Sequence, residues 1–269
     1  LGRSEHWAGL AMRLEWVREI WSYRELLYFF VLRDIKIRYK QTVLGIAWAF
    51  IQPLVATIIF FVVFGKLAGI HGDQVPYPVF AYSGLAVWTY FSGAISYGSN
   101  SLVSNAGLLT KVYFPRLAIP AAAVLGGLLD FFIASLVLVA VMAYYDLTPS
   151  WLLVFWVLLA APVVMLALGI SMLLSALNVR FRDVKYVVPF ALQIWLFVTP
   201  IIYPVSMVPE RYRLLLAMNP MTGYVEAFRA LAIDGKPMDW TLLAISLALT
   251  LAVFLAGLAY FRRAERYFA

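Results

Sequence analysis

Six runs of mostly apolar residues, approximately 44–65, 78–103, 118–145, 151–177, 187–203 and 240–261, constrain this chain more than any other feature. Crossing the hydrocarbon core of a bilayer takes about 20 helical residues. Inside it every backbone N–H and C=O needs a partner in the protein, which an α-helix supplies within each segment. The expected fold class is therefore all-α: a polytopic membrane protein with six transmembrane helices, the fifth of them short. Composition agrees, with 64% of residues hydrophobic and 13% charged, where soluble domains carry about a quarter charged.

Lys and Arg set the expected orientation. Sorted by the alternating sides that six spans create, sixteen of the 21 fall together: Arg3, Arg13, Arg18, Arg24, Arg33, Lys36, Arg38 and Lys40, then Lys111, Arg116, Arg180, Arg182 and Lys185, then Arg262, Arg263 and Arg266. Only Lys66, Arg211, Arg213, Arg229 and Lys236 fall on the other side. Basic loops are retained in the cytoplasm, so both termini are expected there. Orientation also accounts for the net charge of +7 better than nucleic acid does, because the cations flank apolar runs instead of sharing one soluble face. Residues 1–23 mix Trp and Leu with Arg and Glu without a continuous apolar core, so no cleavable signal peptide is expected and the first span acts as its own anchor.

These spans divide the chain into a cytoplasmic N-terminal region, 1–43, a transmembrane domain, 44–261, and a cytoplasmic tail, 262–269. Within the first, residues 24–41 read as an amphipathic interface helix. Tyr28, Leu32, Ile35 and Tyr39 are spaced for one face, and Arg33, Lys36 and Lys40 for another. Its basic end, Arg38-Tyr39-Lys40, runs directly into the apolar stretch that continues to Gly65. Such a helix suits either a plain membrane anchor or a gate that faces a partner. Residues 204–237 are too long for a tight turn and too interrupted by Glu210, Arg211, Arg213, Asn219-Pro220 and Gly223 for a span. Two short helices fit there, roughly 210–218 and 222–233, either re-entrant or on the outer surface, with an ordinary external loop as the alternative.

Most catalytic chemistry is excluded. The chain has no cysteine and two histidines, His6 and His71, too far apart in sequence to suggest a metal site. No GxxxxGK(S/T) loop occurs, so ATP hydrolysis is not expected of it, and neither HExxH nor GxSxG is present.

Two polar features inside the apolar runs call for an explanation. Asp130 is the one acidic residue well within a span, and its insertion costs about 2.5–3.5 kcal/mol. It reads either as a pore or proton-relay group, or as a carboxyl hydrogen-bonded to a neighbouring helix or held neutral. In the second run Trp88, Ser92, Ser96 and Ser99 follow four, four and three residues apart, with Tyr97, Asn100 and Ser104 in an adjacent stripe. Aromatic faces stack on sugar rings while hydroxyls and amides bond their hydroxyls; helix packing through small residues is the competing reading.

Several segments, in order, resemble one family. They are Arg38 to Leu54; Lys111-Val112-Tyr113-Phe114-Pro115-Arg116; Leu177-Asn178-Val179-Arg180-Phe181-Arg182-Asp183-Val184-Lys185; Thr199-Pro200-Ile201-Ile202-Tyr203-Pro204; and Asn219-Pro220. Together they are similar to the membrane subunits of type-2 ABC exporters that move cell-surface polysaccharides. The resemblance implies a homodimer in the bacterial cytoplasmic (inner) membrane, bound to two copies of a separately encoded ABC ATPase. ATP and magnesium would be held in that partner, with no cofactor in this chain. The substrate would be a lipid-linked polysaccharide, lipopolysaccharide O-antigen first, with teichoic acid, capsule or a small amphipath on the same fold as alternatives.

On this resemblance, segment 104–117 couples to the ATPase through Lys111, Tyr113, Phe114, Pro115 and Arg116, whose aromatics and cations suit an interface and are expected to be exposed. The helix carrying Arg33, Lys36, Arg38 and Tyr39 would guard the cytoplasmic mouth. Trp88, Ser92, Ser96, Tyr97, Ser99 and Asn100 would line the path. The alternative from another class, a membrane glycosyl- or acyltransferase, needs catalytic carboxylates or histidines near one membrane face, and the sequence offers no good set.

Overall fold

The computed structural model describes residues 23–40, 45–73, 75–109 and 114–266. Among them every named element is helical, and the only bridge is an isolated antiparallel pair, Pro149 with Ile233. In chain order the helices are α1 (Arg24–Tyr39), α2 (Trp48–Phe60), continuing as a π-helical stretch Phe61–Leu67, α3 (Tyr77–Ser104), α4 (Ala118–Gly126) and α5 (Leu128–Tyr144). They are followed by α6 (Trp156–Arg180), α7 (Val184–Val198), α8 (Glu210–Ala217), α9 (Pro220–Ala232) and α10 (Trp240–Glu265).

Among the described residues, four helical segments are long and apolar enough to cross a membrane: Trp48–Leu67, Ala118–Tyr144, Trp151–Arg180 and Trp240–Glu265. The other two apolar runs differ for physical reasons. Helix α3 has 28 residues, about 42 Å at 1.5 Å per residue, but Ser, Tyr and Thr dilute its apolar character. It is the central helix, packed by α2, α4, α5, α6, α7 and α9. Helix α7 has 15 residues, about 22 Å, and ends before the expected 203. Thr199 precedes Pro200 and is extended, with ψ 138°, because the proline ring disfavours helical backbone in the residue before it.

Local chemistry sets several boundaries. Asn219 caps α9 by accepting from the Met221 amide at 3.0 Å, and Pro220 follows at the first helical position, where its missing N–H costs nothing. Asp239 caps α10 through the Leu242 amide at 3.0 Å. The segment expected to hold helices at 210–218 and 222–233 contains α8 and α9. Between α6 and α10 small residues allow a close crossing; a Cβ on Gly169 would stand 2.7 Å from Phe254 Cα.

Helix α1 lies against α4. Its buried side chain is Phe30, edge-on to Phe114 at 5.3 Å, with Leu26, Leu27 and Val31 beside it. The face inferred from spacing docks only in part: Ile35 comes against Gly126 of α4, and Leu32 and Tyr39 are half-buried, but Tyr28 is exposed. The helix has apolar residues on two sides, Phe30 inward and Tyr28, Phe29 and Ile37 outward, so spacing alone could not choose between them.

Candidate functional site

A half-open cavity of about 250 Å³ lies where the end of α1 meets α2, α3 and α5. Its walls include Arg38 and Tyr39, Trp48 and Gln52, Thr89, Gly93 and Tyr97, and Asp130. Gly45 stands at the turn from α1 into α2 with φ +51°, a conformation costly for other residues. Arg38 Nη1 donates to Asp130 Oδ2, pairing residues 92 apart in sequence, and the guanidinium carbon lies 4.3 Å from the Tyr97 ring centroid. The two charged side chains are only 15% and 23% exposed. Asp130 thus has the neighbouring-helix partner that one of its readings required, and that partner is a charge from α1. Its other oxygen, Oδ1, is buried without a hydrogen-bond partner among the described residues. Leaving such an acceptor unmet costs about 1–3 kcal/mol.

The residues expected along the path separate around α3. Tyr97 is 53% exposed and faces the cavity. Ser92, Ser96 and Asn100 are half-buried. Ser92 and Ser99 donate their hydroxyls to backbone carbonyls of Thr89 and Ser96, at 3.4 and 3.0 Å. Trp88 and Ser99 are buried within the subunit. Trp88 packs against Phe91 and Trp195, and the Ser99 carbonyl accepts from Asn178 Nδ2 at 3.0 Å. Asn178 also donates to Asn100 Oδ1 at 3.0 Å, so part of the stripe serves to join α3 to α6. A period-of-four pattern could not separate these roles, because packing and solvation both favour small polar residues on such a helix.

Of the coupling residues, Lys111 and Tyr113 lie outside the described residues. Phe114 is a correction: expected exposed, it is 5% exposed, held between Phe30 and the α3–α4 packing. Pro115 is half-buried. Arg116 donates to the Glu265 carbonyl at 2.9 Å, placing a cation at the C-terminus of α10, where the helix dipole favours it. On α1, Lys36 is exposed and Arg33 pairs with Asp34 at 2.8 Å.

A second polar centre was absent from the sequence reading. Arg229 on α9 is fully buried. Its Nη1 donates to the Pro200 carbonyl at 2.6 Å and to Glu226 at 2.8 Å, and its Nη2 to the carbonyls of Ile201 and Phe80 at 3.0 and 3.2 Å. Glu226 also pairs with Lys236 at 2.8 Å. Burial would raise the Glu226 carboxyl, but Arg229 and Lys236 outweigh it and hold the group below its ordinary value. Gly84 leaves room for the guanidinium: a Cβ there would stand 2.9 Å from Arg229 Nη2. Next to this centre Asn219 accepts from Trp195 Nε1 at 2.8 Å and donates to Thr199 Oγ1 at 2.9 Å. The Thr199–Pro204 and Asn219-Pro220 segments, separate in sequence, therefore form one network. Sequence order puts Arg229 in the expected short helix 222–233 and Lys236 just after it, both on the external side; only the Glu226–Arg229 spacing of three hints at a pair.

No group of three or more metal-ligating side chains occurs among the described residues. The family model for the ABC-2 type transporter matches residues 25–233. The chain is 30% identical over 257 residues to the O-antigen export system permease protein RfbA of Myxococcus xanthus, covering 94% of this chain and 97% of that one. It is 29% identical over 247 residues to the RfbA permease of Klebsiella pneumoniae, covering 91% and 94%. It is also 28% identical over 239 residues to the polysialic acid transport protein KpsM of Escherichia coli, covering 87% and 91%.

Proposed function

This chain belongs to the ABC-2 type transporter family, and from that premise we propose that it is the channel-forming membrane subunit of an ATP-driven exporter of lipid-linked polysaccharide, O-antigen in the first instance. The observation that carries the reading is the near full-length match to O-antigen permeases. A capsular polymer is the second reading, favoured by the KpsM match. Hydrolysis of ATP falls to a separate nucleotide-binding subunit, two copies of which bind a homodimer of this chain.

In this reading the four apolar segments, α3 and α7 make six spans, with both termini cytoplasmic and α8–α9 at the outer face. The cation distribution supports this topology. Because the chain lacks cysteine, single cysteines can test it. Gly107 and Ala264 should resist an impermeant thiol reagent in intact cells, and a cysteine at the exposed His71 should react, since Gly72 beside it is buried against Phe80; outside labelling at Ala264 would overturn the even count. The open edge of α3, Ser92, Ser96, Tyr97 and Asn100, lines the path, with Trp88 and Ser99 supporting it from within. Segment 104–117 contacts the ATPase through Lys111, Tyr113 and the backbone around Pro115, while Phe114 and Arg116 hold it to α1 and α10.

Function is tested by deleting the gene and restoring it. Loss of surface polymer, with lipid-linked polymer accumulating inside, and recovery on re-expression is the expected result. Unchanged surface polymer in the deletion would remove the export reading.

A further inference from the structure

We propose that the cavity between Arg38, Trp48 and Asp130 is a binding site for a single neutral sugar ring of the exported polymer; this rests on the export reading above. Three features point to that chemistry. The size, about 250 Å³, is below that of sites for drug-sized ligands, about 300–1,000 Å³, and leaves room for one ring instead of a chain. Trp48, about half exposed, offers an apolar face on which a sugar ring stacks, beside Tyr97, whose ring already carries the Arg38 guanidinium. Gln52 and Thr89 bring an amide and a hydroxyl to the wall, groups that both donate and accept.

The charges choose among ligands. Arg38 by itself would attract phosphate, but it is already paired with Asp130, which cancels its charge. A polyol needs no net charge. The site is thus built for hydroxyls, with Arg38 and Asp130 forming a neutral pair in its wall.

Gly93 provides the test. A Cβ placed on it meets nothing within 4 Å, so a larger side chain enters the cavity without disturbing the packing. The full chain, purified with its ATPase in lipid nanodiscs, is titrated with lipid-free repeat units released from the source cell's own surface polymer, and binding is read by saturation-transfer NMR. The expected result is that Gly93→Leu weakens sugar binding by about tenfold or more with unchanged thermal melting, and Gln52→Leu, on another helix, weakens it in the same direction. Inorganic pyrophosphate and phosphoethanolamine should not compete. Equal sugar binding by wild type and Gly93→Leu, or competition by pyrophosphate, would overturn the site. Binding of phosphoethanolamine without sugar would make it a lipid-headgroup pocket and equally overturn it. The same variants are assayed for surface polymer: failure of the wild-type gene to restore export would sink the export reading, whereas restored export with the cavity indifferent to sugar would sink only this proposal.

Discussion

Two arginine–carboxylate pairs sit toward opposite ends of α3, and they are built differently. Arg229 is fully buried, and its terminal nitrogens meet three backbone carbonyls as well as Glu226. Arg38 lies against one ring and one carboxylate beside a cavity, and that carboxylate keeps an oxygen without a partner. Arg229 Nε is itself buried without a hydrogen-bond partner among the described residues, but the carbonyl-bound Nη1 and Nη2 fix backbone, tying α3, the Thr199–Pro204 segment and α9 into one unit. The Arg38 pair joins two side chains beside a cavity instead.

The largest effect should follow from breaking the carbonyl-bound pair. Replacing Arg229 by Met leaves Glu226 buried without its main partner and strips donors from the Phe80, Pro200 and Ile201 carbonyls. Removing one member of a buried pair costs about 3–5 kcal/mol. Thermal unfolding in detergent should show it, and Arg229→Met combined with Glu226→Gln should be less damaging than Arg229→Met alone. A single-variant loss below about 1 kcal/mol would place Arg229 in the same class as Arg38 and dissolve the contrast.

The next effect asks what holds α1. Phe114→Ala removes a buried ring from Phe30 and should cost about 3 kcal/mol. If the aromatic contact anchors the helix, limited proteolysis should cut within residues 24–39 of this variant, and not when Arg38 is changed. Cleavage only in Arg38 variants would show that the ion pair, not the core, docks α1.

Acid should weaken the Arg229–Glu226 pair selectively. Glu226 is held below its ordinary value of 4.5, so the stability it contributes is complete above that value and is lost as pH falls through the lower folded value. The difference in melting temperature between wild type and Glu226→Gln should stay constant from neutrality to about the ordinary glutamate value and close only below it. A difference that fades at higher pH would mean the carboxyl is not held ionised by Arg229 and Lys236.

The helical architecture was legible from the apolar runs, since length and composition alone specify a spanning helix. The paired helices of 210–218 and 222–233 were legible from the polar and proline breaks around Asn219. What could not be read was which side of a helix meets which neighbour. Asp130 looked isolated because its partner is 92 residues away on α1. Arg229 looked like an external cation on a short helix because its partners are mostly carbonyls, which leave no mark in side-chain sequence. Phe114 looked exposed because an aromatic beside cations fits an interface as well as a core. In each case the deciding contact is long-range, and periodicity carries only local information.

The smallest stability effect is also the sharpest test of the comparison, since it makes one substitution at both centres. At Arg38, lysine keeps the positive charge for Asp130 and loses the flat contact with Tyr97. The pair borders a cavity, so its stability cost should be on the order of 0–1 kcal/mol. At Arg229, lysine offers fewer donors in a different geometry, so carbonyls now bonded by the guanidinium are left unmet at about 1–3 kcal/mol each. Melting both variants side by side should therefore separate them clearly, with Arg38→Lys near wild type. If export nevertheless falls in Arg38→Lys, the arginine acts through the cavity it lines and not through the fold. Equal destabilisation at the two positions would mean that the Arg38 pair holds the fold as firmly as Arg229 does, and the distinction between a fixed end and an open end of α3 would be lost.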